Sequence, residues 1–387
     1  MYRIIALYTD IGRGHPNYLD GLVQTLAARH HLQIPTFDVF QLSRRASRAA
    51  WDAVRLGYHT GSRGGLLTAL YNRIRSRRSA GGFPVRLLAR DLRLRRAGPD
   101  TMILVEHPLV ARMLGELGRV YYVHGEIAAP AASIVPEAAR VFVPLESTKN
   151  RFAELGQPTA SLSVTGLMVE PGLVSGAAQA LDRRLQRIKT GKHLTIGFFT
   201  SGAYPPAHTD VIVNAAASAA RSGNRVVVFT GCSWSKSRML ARRLKALSLK
   251  VGSDRHRHLS PNWDSVTLVW RPDRPSDTAR AVELMPELDL FVAAPHERTN
   301  WAVGLGLPMF ALRPLVGPFA RQNYDFALAH NVAQPLDRDA AANFGRTLER
   351  LRNDGTLLRM AENGFGKYPI NGFDMAAQEV SEKEIKK

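Results

Sequence analysis

The sequence predicts two α/β domains, each a parallel sheet with helices packed on both faces. Three observations predict it. Short apolar runs alternate with amphipathic stretches from end to end, the signature of repeated βαβ units. The alternation slackens once, between Gly166 and Lys192, and then restarts. The chain has 387 residues, enough for two or three domains at roughly 100–200 residues each. Its 45% hydrophobic and 22% charged residues are an ordinary globular balance.

The elements follow in order. Arg3–Thr9 (RIIALYT) reads as a buried strand and Asp10–Pro16 as a glycine-bearing loop. Leu19, Leu22, Val23 and Leu26 then recur at helical spacing. TFDVF, TMILVEH, VYYVHGE and VFVPL complete the strands of the first domain, placed at 1–167. Residues 168–192 hold Pro171, Gly172, Gly176 and Gly191 around one helical stretch, and are expected to be a linker. The second domain, 193–368, restarts with LTIGFFT and a Ser201–Gly202 loop, then VVVFTG, TLVWR, DLFVAAP and PMFALRP. A polar helical tail, 369–387, ends the chain.

Composition excludes several classes. A single cysteine, Cys232, leaves no disulfide framework and no cysteine metal site, and suits a reducing interior. No run approaches the roughly 18 apolar residues of a spanning helix. The first residues turn polar too soon for a secretory signal. The net charge is +19, a field that attracts anionic partners. It is concentrated: Leu42–Arg96 carries 14 arginines, no lysine, and only Asp52 and Asp91 as acids.

In open α/β sheets ligands bind beyond the carboxyl ends of the strands, so loops there are the candidates. TDIGRGHP places Gly14 and His15 before a helix; the glycines permit close backbone approach and His15 can exchange a proton near neutral pH. A tight turn would use the same glycines. The dinucleotide G-x-G-x-x-G pattern is absent, because Asn17 stands at the third glycine. VEHP brings His107, and HGE brings His124 and Glu126, to other strand ends. A lone strand-end histidine is usually a structural hydrogen-bonder, but three on nearby strands favour a site. In the second domain Ser201 and Gly202 follow its first strand. His296, Glu297, Arg298 and Thr299 follow a later one, where the threonine, the arginine and backbone amides suit a phosphate. Arg321, Gln322 and Asn323 start a further helix. Helix capping is the plain alternative.

The basic segment reads as three amphipathic helices. Arg44, Arg48 and Arg55 form one stripe and Trp51, Val54 and Tyr58 another. Leu67, Leu70 and Tyr71 lie beside Arg73 and Arg77. Such helices lie in the surface of an anionic membrane, though a solvated basic face over an ordinary core has the same pattern. Nucleic-acid binding is the rival for the charge, but no helix-turn-helix, zinc-finger or aromatic RNP signature is present.

The loops together resemble the GT-B glycosyltransferases, two Rossmann-like domains facing across a cleft. The nearest group includes the peptidoglycan lipid-intermediate N-acetylglucosaminyltransferase and the diacylglycerol galactosyl- and glucosyltransferases. DIGRGH resembles the diacylglycerol enzymes' Gly-Gly-Gly-His loop, and VEHP their Thr-His-Pro. Val141–Pro171 resembles the end of their acceptor domain and Gly304–Leu336 the end of their donor domain, with its Arg-Gln-Asn run. One loop departs: the family's ribose-binding glutamate falls on Trp301, with Glu297 one turn earlier. The resemblance implies an inverting, metal-independent glycosyltransferase. It would move a sugar from a nucleotide-sugar, UDP-galactose or UDP-glucose, to a lipid hydroxyl such as that of diacylglycerol. His15 is the first choice for the base, then Glu126 and His124. Ser201, Gly202, Arg271, His296–Thr299 and Arg321–Asn323 would hold the donor. Gly14, His107 and the basic segment would face the acceptor and an anionic membrane on the cytoplasmic side. No cofactor, metal or nucleic acid is expected. A nucleotide-sugar epimerase of the same shape, or an enzyme with a soluble acceptor, is the alternative.

Overall fold

The computed structural model describes residues 2–9, 14–61, 100–115, 119–191, 193–254 and 266–385. The loop 10–13, the His15 side chain, and Leu67, Leu70, Tyr71, Arg73 and Arg77 lie outside the described residues. The chain forms two compact units: Met1–Pro171 with Gly317–Gln322 and Tyr368–Lys387, and Gly172–Val316 with Asn323–Lys367.

The first unit is built on a six-stranded parallel sheet in the order β2-β1-β3-β4-β5-β6. Its strands are β1 (Ile4–Tyr8), β2 (Thr36–Asp38), β3 (Met102–Val105), β4 (Arg119–Val123), β5 (Arg140–Val143) and β6 (Leu162–Val164). Alternate residues enter opposite cores. Ile5, Leu7, Ile103 and Val105 pack on one face, and Ile4, Ala6, Met102 and Leu104 on the other. Burial on both faces is why these strands are continuous apolar runs rather than alternating ones. TFDVF is a strand only to Asp38, whose carboxylate accepts from the Phe40 amide and starts a short helix, Val39–Leu42.

The Arg45–Gly61 helix corrects the membrane assignment of Trp51. Its indole is fully buried, 6.0 Å from the Phe40 ring, in the same core as Ile5 and Leu7. Val54 and Tyr58 pack against that core too. The apolar stripe of this helix therefore faces the protein, and Trp51 is not available for insertion. Arg44 and Arg48 remain exposed, although Arg48 also donates to the Phe40 carbonyl at 3.0 Å.

The tail forms a helix, Gly372–Ile385, in the first unit. Phe373, Ala376, Ala377 and Val380 are buried against Leu19, Leu22 and Leu26 of the Gly14–His30 helix. Glu379 pairs with Arg140 and accepts from the Ser163 hydroxyl at 2.7 Å.

The second unit carries seven parallel strands in the order β13-β12-β11-β7-β8-β10-β9. They are β7 (Thr195–Phe199), β8 (Arg225–Phe229), β9 (Val251–Ser253), β10 (Val266–Val269), β11 (Leu290–Ala293), β12 (Met309–Leu312) and β13 (Ala333–Leu336). The short edge strands β9 and β13, like β6, have too few apolar residues to register as strands in the sequence. The Ala177–Thr190 helix, expected in a linker, is integral to this unit. Arg184 on it is fully buried and donates to the Leu288, Leu305 and Gly306 carbonyls at 2.8–3.1 Å. Arg187 pairs at 2.6 Å with Asp289, whose second oxygen accepts from the Thr195 amide. Among the described residues no helix is long and apolar enough to cross a membrane.

Candidate active site

In the first unit, the predicted residues gather at the carboxyl ends of β1, β3 and β4, which are neighbours in the sheet. His15 is the second residue of the Gly14–His30 helix, directly beyond β1. At the end of β3, Glu106 is fully buried and accepts from the Thr9 amide at 2.9 Å and the Thr9 hydroxyl at 2.8 Å. That pair fixes the residue at which the His15 loop departs. The neighbouring His107 caps the Pro108–Leu114 helix, its Nδ1 accepting from the Leu109 amide at 3.3 Å. Sequence reasoning chose this histidine and passed over Glu106, although VEHP contains both.

At the end of β4, His124 is buried with both ring nitrogens engaged. Nδ1 lies 3.0 Å from the Tyr122 hydroxyl and Nε2 2.9 Å from the Ala128 carbonyl. Burial pushes its pKa down to about 4, so it is neutral. Its ring also packs 4.7 Å from Phe152. These contacts make His124 a support for the loop that carries Glu126, which is itself buried. Gly125 between them is obligatory, since a Cβ there would meet the Tyr18 ring at 2.2 Å.

In the second unit, two adjacent strand ends, β7 and β11, converge. Arg298 bridges them. Its guanidinium lies 4.7 Å from the Phe199 ring centroid and 5.2 Å from that of Trp301, and it bonds Glu297 at 2.5 Å. Trp301 is buried against Phe199 and Phe291, so its ring supports the arginine and is not placed to meet a ribose. Three buried atoms around this point have no hydrogen-bond partner among the described residues: Ser201 Oγ, Arg298 Nε and Thr299 Oγ1. Native proteins rarely leave such donors unused, and their clustering marks a place for an acceptor-rich ligand. The backbone amides expected to help are already committed, because those of Thr299 and Asn300 donate to the His296 and Glu297 carbonyls.

His208 was not singled out in the sequence. It stands in the first turn of the Pro206–Arg221 helix, after the Ser201–Gly202 loop, and only the run PPAH signals it. Nε2 bonds the Pro314 carbonyl at 2.7 Å, and Nδ1 is buried without a partner among the described residues. Burial lowers its pKa to about 4, so Nδ1 is a bare acceptor. His296, electrostatically coupled to it, is held down by burial as well.

The remaining donor candidates separate. Asn323 is fully buried and donates to the Pro295 carbonyl at 3.2 Å in the second unit. Gln322 belongs with the first unit, its Oε1 accepting from the Ala129 amide at 2.8 Å, and Arg321 beside it is exposed. Gly202 is exposed beside Ser201. Arg271, at the end of β10, is bound to Asp254 at 2.6 Å. Among the described residues no group of three or more His, Cys, Asp or Glu side chains is placed to hold a metal ion.

These buried neutral histidines make stability pH-dependent. His124 and His208 bind protons in the unfolded chain near pH 6.5 but in the folded chain only near pH 4. Between those values the unfolded state binds more protons, so stability falls as pH drops through this window, by roughly 3 kcal/mol for each histidine. Urea unfolding from about pH 7 to about pH 4 should show the loss, and His208→Gln should remove part of it in the second unit.

No protein-family model and no curated protein matches the sequence. Solved structures do. The UDP-GlcNAc 2-epimerase from Neisseria meningitidis bound to UDP-GlcNAc is similar over 99% of this chain and 100% of that one, at 12% identity and a TM-score of 0.56. S. aureus MnaA in complex with UDP is similar over 98% and 95%, at 12% identity and 0.56. Anabaena Alr3699/HepE in complex with UDP and glucose is similar over 100% and 98%, at 13% identity and 0.49. At these identities the likeness to the Neisseria and S. aureus structures establishes the fold alone, which is GT-B, with two Rossmann-like units.

Proposed function

We propose that the chain is a nucleotide-sugar-dependent glycosyltransferase whose second unit binds the donor and whose first unit supplies the base. The observation that carries this reading is the cluster of unused buried donors, Ser201 Oγ, Arg298 Nε and Thr299 Oγ1, at the ends of β7 and β11. Its chemistry suits a diphosphate: two hydroxyls and one guanidinium in a partly desolvated site, where charge-assisted hydrogen bonds are strong. His208 Nδ1 adds an acceptor for a ligand hydroxyl or amide. That the Neisseria and S. aureus structures hold UDP-GlcNAc and UDP favours uridine.

In the proposed reaction an acceptor hydroxyl attacks the anomeric carbon. A new C–O bond forms as the bond to the diphosphate breaks, inverting the centre. The hydroxyl proton passes to His15, and the leaving charge is stabilised by Arg298, Ser201 and Thr299. No metal is needed for this step. His124, neutral and engaged at both nitrogens, serves as a support, and Glu126 is the second choice for the base. The acceptor is proposed to be a lipid hydroxyl, of the diacylglycerol type, met at an anionic cytoplasmic membrane surface. The 14 arginines of Leu42–Arg96 support this, with Arg44 and Arg48 exposed.

The test is incubation with labelled UDP-galactose, UDP-glucose and UDP-GlcNAc, with and without vesicles of anionic lipid and diacylglycerol. Label should enter the lipid phase only with vesicles. An epimerised nucleotide-sugar without vesicles would instead support the second reading, an epimerase, which the Neisseria structure favours. Neither product would sink both. In sedimentation, attachment should require anionic vesicles, and Arg73→Glu/Arg77→Glu should weaken it about tenfold or more at low salt.

A further inference from the structure

We infer that the groove between the Trp234–Ala246 helix and the edge strand β9 is a second binding site, for an anionic oligosaccharide. It is a cavity of about 710 Å³ running along the helix, bounded on the other side by Val251–Asp254 and the end of β10. That volume is within the range of ligand pockets. It lies towards the far edge of the sheet from the cluster at β7 and β11: two strand spacings, about 10 Å, separate β7 from β10, and three, about 14 Å, separate it from β9.

Its chemistry is specific. Trp234, Arg238 and Lys245 line it at i, i+4 and i+11, one face of the helix spanning about 16 Å. Trp234 is 56% exposed, an unusual state for so large an apolar ring, and is held edge-to-face against Trp270 at 5.1 Å. Trp270 Nε1 is buried in the wall with no hydrogen-bond partner among the described residues. Arg238 and Lys245 are exposed and have no ion pair among the described residues. The acid in the lining, Asp254, is already neutralised by Arg271 and Arg280.

An exposed indole, an indole N–H unused among the described residues and two exposed cations in line match a short chain of pyranose rings bearing carboxylates. The C–H face of a ring stacks on Trp234, a hydroxyl accepts from Trp270, and acidic groups meet Arg238 and Lys245. A single-stranded nucleic acid would require rings interleaved with the cations, whereas both rings here lie at one end. An acyl chain would require a wall without charges along its length.

The test uses the full chain and tetragalacturonate as probe, followed by tryptophan fluorescence and calorimetry. Tetragalacturonate should quench the fluorescence and bind. Trp234→Ala, and separately Arg238→Gln/Lys245→Gln, should each weaken it about tenfold or more. UDP affinity should be unchanged in both, which separates this groove from the proposed donor site. All these residues are exposed, so the variants retain the fold. The inference is overturned by unaltered tetragalacturonate binding in both variants. Equally tight binding of maltotetraose would overturn it by making the cations idle. Tighter binding of a uridine tetranucleotide would do so by pointing to nucleic acid.

Discussion

Arg298→Met/Thr299→Val should raise the dissociation constant for UDP by about 10²–10³ while leaving the melting temperature within a few degrees. The substitutions keep the packing. Methionine retains an apolar stem against Phe199 and Trp301, and valine matches the shape of threonine. What they remove is one guanidinium and one hydroxyl, two groups that the protein itself leaves without full use. Each charge-assisted hydrogen bond contributes about 1.5–3 kcal/mol, and two at the lower end of that range, about 3–4 kcal/mol together, give the stated effect. Calorimetry with UDP, beside thermal unfolding, decides it. Unchanged affinity in a folded variant would remove the diphosphate from this site.

His15→Asn should lower sugar transfer by roughly 10²–10⁴ with UDP affinity and stability preserved. Asparagine is polar and of similar size but cannot take a proton from a hydroxyl. The loss should therefore lie in turnover rather than in donor binding. Glu126→Gln is the control. If it abolishes transfer while His15→Asn stays within a few-fold of wild type, the base is the carboxylate.

Much of this was legible in the sequence because it depends on local chemistry. Strands such as IIALY, MILV and RVVVF are buried on both faces, so they are apolar throughout and announce themselves. The strand-end polar residues at Ser201, His296–Thr299 and His124–Glu126 are likewise visible, because the chain leaves the sheet there and can afford polarity. Which of them carry out chemistry was not visible. His124 and His107 are indistinguishable from His15 by spacing, yet one is clamped between Tyr122 and Ala128 and another caps a helix.

The sequence by itself determined the α/β class, the duplication into two parallel-sheet units, and the concentration of charge before Arg96, since all three follow from composition and period. Tertiary structure alone decided the rest. An amphipathic helix has the same pattern whether its apolar stripe meets lipid or protein, and only packing on Phe40 and on the distant strand residues Ile5, Leu7 and Ile103 turned Trp51 inward. A glutamine at a helix start looks like a ligand contact until the fold brings Ala129, distant in sequence, against Gln322. Unused hydrogen-bonding capacity, as at Ser201, Arg298, Thr299 and Trp270, is a property of surroundings rather than of residue type. It exists only once the chain has folded and set each of these atoms among its neighbours.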